Sequence, residues 1–171
     1  MAFSRRSFLR ATLGVALLAS SGYILKDLFL PSQIEPAKRR TLEALLDTLI
    51  PSDTTPGAVQ LGVSGKILGN AFEDGEYRRL VRKGCDWLDR MAGEHNADSF
   101  SSLGEREREE LVGQAEEAPV GSLPRTFFER MRADAFFHYY AHPASWGKIG
   151  YTGPPQPDGY PDYAAAPKAS S

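Results

Sequence analysis

The sequence predicts an all-α fold, a compact helical domain of about five helices followed by a long irregular Pro/Tyr-rich C-terminal arm. Three observations carry that expectation. Aliphatic residues recur at helical spacing through the middle of the chain, while strand-like alternation is weak throughout. Six of the twelve prolines and five of the seven tyrosines lie from Tyr139 onward, so the regular and irregular parts separate along the chain. With 42% hydrophobic and 25% charged residues, the roughly 150 residues after the N-terminal segment suit one globular domain with a single core. The expected partition is 1–30 as an N-terminal signal or anchor, 31–143 as the helical domain and 144–171 as the arm.

In order along the chain, Leu42, Leu45, Leu46, Leu49 and Ile50 fall at i, i+3, i+4, i+7 and i+8, one stripe of a helix that starts near Glu35. Pro36 suits its first turn and Pro51 ends it. The loop from Pro51 to Gly57 leads into a helical segment around Ala58 to Phe72, interrupted by Gly62, Gly65 and Gly69; Asp53 is expected to cap it. A third helix is predicted from about Glu76 to Met91. It places Tyr77, Leu80, Val81, Gly84, Leu88 and Met91 on one side and Arg78, Arg79, Arg82 and Lys83 mostly on the other, and Gly84 at its centre points to a close helix crossing. Ser102 and Glu105 have capping-box spacing ahead of a charged helix to Glu117 with Leu111, Val112 and Ala115 as its apolar side.

The last helix, from about Leu123 to His142, differs in that little of its second half is suited to water. Phe127, Phe128, Met131, Ala135, His138 and Tyr139 cover one face, and Phe136, Phe137 and Tyr140 the other, so it is expected to lie buried at the centre. Beyond Pro143 the arm is too Pro-rich to be regular and too apolar to be a free linker. Its rings either pack on the chain's own helices or face another protein, since aromatic side chains are favoured at interface centres. The candidate interface residues are Trp146, Ile149, Tyr151, Pro154, Tyr160 and Tyr163.

At the other end, Ser4-Arg5-Arg6-Ser7-Phe8-Leu9-Arg10 precedes an uncharged apolar run from Ala11 to Leu25. Arg5, Arg6, Phe8 and Leu9 in this order resemble the twin-arginine export signal of bacteria, a route for proteins already folded. As a helix the run spans roughly 22 Å, at about 1.5 Å per residue, short of the roughly 30 Å hydrocarbon core, which argues against a full transmembrane helix. Cleavage after Ser21 and retention as an interfacial anchor both stay open.

Charge and motifs then narrow the chemistry. The formal charge is −2, with 20 basic residues spread among 22 acidic ones, so nucleic acid is not an expected partner. Cys85 is the only cysteine, which excludes an internal disulfide, a Cys-x-x-Cys-His haem attachment and Cys-rich metal sites. It is either a small buried hydrophobe or a bridge to another chain. No dinucleotide fingerprint, P-loop, nucleophile elbow or His-Glu-x-x-His stands in the sequence. His138 and His142, at i and i+4 with Asp134 one turn back, are the one arrangement that offers a metal-ligand set; the alternative has both rings paired among the aromatics. A stand-alone metal-dependent enzyme using these three residues, or a membrane-tethered scaffold, are therefore the rival readings.

Leu42-Glu43-Ala44-Leu45-Leu46-Asp47-Thr48-Leu49-Ile50-Pro51-Ser52-Asp53, then Pro56-Gly57-Ala58, Gly62-Val63 and Phe128, and the late Tyr139-Tyr140-x-His142-Pro143-x-x-Trp146-x-x-Ile149-Gly150-Tyr151-x-Gly153-Pro154, resemble the gluconate 2-dehydrogenase subunit 3 family. The likeness runs from about Arg39 to Tyr163. It implies a small accessory subunit, without catalytic or cofactor residues of its own, in a periplasmic dehydrogenase complex associated with the inner membrane. The implied partners are a large FAD-binding subunit of the glucose-methanol-choline oxidoreductase type, a cytochrome c subunit carrying haem c, and the twin-arginine translocase. In such complexes the large chain oxidises a sugar, sugar acid or polyol and passes electrons to haem, and the small one supplies the export signal for a partner lacking one and assists its folding or flavin loading.

Overall fold

The computed structural model describes residues 34–153, which form five α-helices, with no strand among the described residues. They are α1 (Pro36–Leu49), α2 (Val63–Glu73), α3 (Gly75–Glu94), α4 (Glu105–Glu117) and α5 (Leu123–Tyr140), with 3-10 turns at Phe100–Ser102, Pro143–Ser145 and Gly147–Ile149. The all-α expectation therefore holds.

Each helix is set by local chemistry. Pro36 opens α1, where its missing N–H is not needed, and the helix stops at Leu49 because residue 50 precedes Pro51. The chain then folds back on the helix it has just left: Ala58 N donates to Ile50 O at 3.0 Å. Gly57 makes this return sterically feasible. A Cβ there would stand 2.7 Å from Ser52 N and 2.8 Å from Ile50 O, backbone atoms that have no room to move. Asp53 does not cap the next helix as expected; its Oδ1 accepts from Thr55 N at 2.7 Å and Thr55 Oγ1 at 2.8 Å, closing the loop on itself. The residues from Ala58 to Leu61 form turns, and α2 begins only after Gly62, which sits in the left-handed region at φ 72°.

Asp74 alone separates α2 from α3. Its Oδ1 accepts from Glu76 N at 2.8 Å and Tyr77 N at 3.1 Å, satisfying two free N–H groups of the new helix. Those backbone donors hold its carboxyl below the usual range. The Ser102–Glu105 capping box does not form. Ser102 instead pairs with Ser99 within the 3-10 turn, and Glu107 Oε2 reaches back to Gly104 N at 3.0 Å, so the box's reciprocal half lies two residues later.

Leu42, Leu45 and Leu46 of α1 meet Ile67 of α2, Val81, Cys85 and Leu88 of α3, Phe100, Leu111 of α4, and Phe127 and Met131 of α5 in one core. The crossing expected at Gly84 is real: a Cβ there would lie 2.2 Å from the Phe127 ring, so glycine sets how close α3 and α5 come. A polar clasp joins α1, α3 and the Phe100–Ser102 turn at the rim. Asp89 accepts from Thr41 Oγ1 at 2.7 Å and Phe100 N at 3.1 Å, and its other oxygen lies 3.0 Å from Lys38 Nζ, which also meets Asp86 at 2.6 Å. Burial works to lower the Lys38 pKa, but the two carboxylates outweigh it and raise the value.

α5 departs from expectation. It ends at Tyr140 rather than His142, and it touches all four other helices with one face only. Phe127, Phe128, Met131, Ala135 and Tyr139 are buried, but Phe136, Phe137 and Tyr140, expected to be covered, keep 40%, 70% and 47% of their surface exposed. The four other described helices all contact α5, and the residues it buries, Phe127, Phe128, Met131, Ala135 and Tyr139, lie on one side. No helix among the described residues is long and apolar enough to cross a membrane.

Candidate interaction surface

The outward face of α5 and the segment of two 3-10 turns that follows it expose Phe136, Phe137, Tyr140, Ile149 and Tyr151. The helix places Phe136 and Tyr140 one turn apart, with their rings stacked at 6.1 Å and 14° between planes. Tyr140 meets Tyr139 edge-on at 5.2 Å, and Phe137 meets His138 in the same manner at 5.2 Å. At the helix end, His142 Nδ1 accepts from Ala144 N at 3.2 Å and Ser145 Oγ donates to His142 O at 2.8 Å, which turns the chain back. Trp146 is thereby brought beneath the helix terminus, where its Nε1 donates to Tyr140 O at 2.7 Å. That bond satisfies one of the carbonyls the helix leaves free. Tyr151 meets the Trp146 ring edge-on at 5.0 Å, and Gly153 lies against the same ring with φ 110°, a backbone conformation that favours glycine.

Of the interface residues predicted from sequence, Trp146 is half-buried and acts as the hub, while Ile149 and Tyr151 keep 58% and 45% of their surface exposed. Pro154, Tyr160 and Tyr163 lie outside the described residues, as do the export-signal residues Arg5, Arg6, Phe8 and Leu9. Phe136, Phe137 and Tyr140 were missed as surface residues. The signal was present, since a helix apolar on both faces needs partners on both. Clustered exposed apolar side chains of this kind mark sites of contact with other molecules.

The rival metal set does not assemble. Asp134 Oδ2 accepts from Tyr77 Oη at 2.5 Å and from Arg130 Nε at 2.8 Å, and Arg130 lies over the Tyr77 ring at 4.5 Å. Burial, together with the Asp134 carboxylate, pushes the Tyr77 hydroxyl well above its ordinary value. His138 Nε2 lies 3.5 Å from Asn70 Nδ2 of α2, and His142 is spent on the turn. The three groups point to three different neighbours. Among the described residues, no group of three or more His, Cys, Asp and Glu side chains gathers to hold a metal ion.

Cys85 has 0% exposure, and burial pushes its thiol up to about 12. A sulfur so enclosed is closed to a second chain unless α3 leaves the core. The geometry supports the buried-hydrophobe alternative over the inter-chain bridge.

The family profile described as gluconate 2-dehydrogenase subunit 3 matches residues 36–153, from the first residue of α1 to the glycine packed on Trp146. No curated protein and no solved structure matches the chain.

Proposed function

The chain belongs to the gluconate 2-dehydrogenase subunit 3 family, and from that premise we propose that it is the non-catalytic small subunit of a flavin-dependent dehydrogenase complex. Its partner is a large FAD-binding subunit of the glucose-methanol-choline type, joined by a cytochrome c subunit carrying haem c. The large chain oxidises a sugar, sugar acid or polyol; this chain grips it, stabilises it and carries the twin-arginine signal that takes both to the periplasmic side of the inner membrane.

The observation that carries this reading is the exposed aromatic surface of Phe136, Phe137, Tyr140, Ile149 and Tyr151. Aromatic side chains lose little rotamer entropy on binding and bury much area, which suits a permanent contact. A subunit that binds only the folded partner stabilises it by mass action, about 2.7 kcal/mol when present at a hundred times the dissociation constant. Stabilisation therefore requires no chemistry from the escort itself.

The test is co-purification from cells expressing both chains. Replacing Phe136, Phe137 and Tyr140 together with Gln is expected to release the large flavoprotein while this chain stays folded; undiminished capture would overturn the interface. Replacing Arg5 and Arg6 with Lys tests the escort separately. It is expected to leave the large subunit in the cytoplasm, and normal periplasmic amounts would refute that role.

A further inference from the structure

We propose that the basic stripe of α3, with the apolar depression beside it, is a docking face for an anionic phospholipid surface. Gly75, Arg78, Arg79, Arg82, Lys83 and Asp86 recur at i, i+3, i+4, i+7, i+8 and i+11, so they line one side of the helix. There they bound a depression of about 400 Å³. Four of the six are cations in a chain whose formal charge is −2. Arg79 and Lys83 are exposed and form no ion pair with any described residue. Of the acids nearby, Asp86 holds Lys38 at 2.6 Å and Glu35 meets Arg82 at 3.6 Å, while Glu76, three residues before Arg79, is exposed, so the cations outnumber the free acids along this side.

A second depression of about 320 Å³ adjoins the first and shares Arg78 with it. Ile34, Leu68, Ala71 and Phe72 give it an apolar lining, and Phe72 keeps 58% of its surface exposed. Arg78 is fixed between the two, its Nη1 donating to Ala71 O at 3.1 Å and Phe72 O at 3.2 Å at the end of α2. A cationic hollow beside an apolar one matches an anionic amphiphile better than an acidic peptide, which needs only the first. Chain connectivity points the same way. The uncharged run Ala11–Leu25 ends nine residues before Ile34, and nine residues reach at most about 32 Å when fully extended. Any bilayer surface that holds this run lies within that distance of Ile34, which lines the apolar depression beside the stripe. One apolar segment anchors weakly, and a polybasic patch is the kind of second contact that makes anchoring stable.

The inference is independent of the dehydrogenase partner and is tested on the full chain with vesicles. The apolar run partitions into either lipid, so the readout is the ratio of binding to phosphatidylglycerol-containing vesicles over phosphatidylcholine vesicles. Wild type is expected to favour the anionic vesicles, and the preference is expected to fall as salt screens the charges. Arg79→Gln with Lys83→Gln should lower the ratio by roughly fivefold per lost charge, whereas Arg106→Gln on α4 should leave it unchanged. Phe72→Ser should weaken binding to both vesicle types. Equal binding of wild type to the two lipids, or a double variant with the wild-type ratio, overturns the proposal. So does loss of the large flavoprotein by the double variant with its vesicle ratio intact, which would make the stripe a protein contact.

Discussion

On α5, Phe127, Phe128 and Met131 keep no more than 4% of their surface in water, whereas Phe137, six residues after Met131, keeps 70%. The outward side carries Arg125, Glu129 and Arg130 in its first half, but over the last turns both sides are aromatic, so hydrophobicity does not separate them there. Position does: one face meets α3 across Gly84 and continues into the common core, and the other has no described helix against it. The buried face contributes to this chain's own stability, and the outward face is left available for another protein.

The strongest way to break that contrast is to empty the buried side. Phe127→Ala is expected to cost about 3–5 kcal/mol in denaturant unfolding, from lost transfer energy and the cavity left against α3. Filling the crossing instead should cost less. Gly84→Ala is expected to destabilise by about 1–3 kcal/mol because the new methyl meets the Phe127 ring. Gly113→Ala, in α4 with nothing within 4 Å of the new Cβ, should gain about 0.5–1 kcal/mol from helix propensity. If the two glycines respond alike, the close approach at Gly84 is not what fixes α3 on α5.

The outward face should behave in the opposite way. Changing Phe136, Phe137 and Tyr140 to Gln is expected to alter the stability of the isolated chain by no more than about 0.5 kcal/mol per site. Partner affinity should fall by roughly 2 kcal/mol for each ring that acts as a hot spot. A large loss of stability would mean that these rings are covered within the chain itself.

The smallest effect concerns Cys85. Its thiol keeps its proton in the folded chain up to about 12, whereas an unfolded chain loses it near 9.0. Below pH 9 this group leaves stability unchanged; between pH 9 and 12 the unfolded state releases the proton first, so stability falls as pH rises. Cys85→Ala should make that alkaline loss shallower in pH-dependent unfolding. Native protein should resist iodoacetamide at pH 8 and react once unfolded; rapid native labelling would mean that the sulfur is reachable.

Much of the fold was legible because its signals are local. The i, i+3, i+4 stripe of α1, the proline that stops it, and the glycine in α3 that admits a neighbour depend on residues close in sequence. Capping was less legible, since Ser102 and Glu107 both had several local partners at the same spacing, and the pairs that formed were Ser99 with Ser102 and Gly104 with Glu107. The metal reading failed for a related reason. Spacing placed Asp134, His138 and His142 near one another, but Tyr77, 57 residues before Asp134, claimed the carboxylate. The clasp at Asp89 left no sequence signature at all, because its partners Thr41 and Phe100 come from elements 48 and 11 residues away.

The sequence by itself determined the helices, their order and the concentration of rings toward the C-terminus, because periodicity and backbone restriction act over a few residues. Only the tertiary structure decided which face of α5 was covered. A helix records in its sequence that it is apolar, but burial depends on how many neighbours reach each side, and the described helices reach only one.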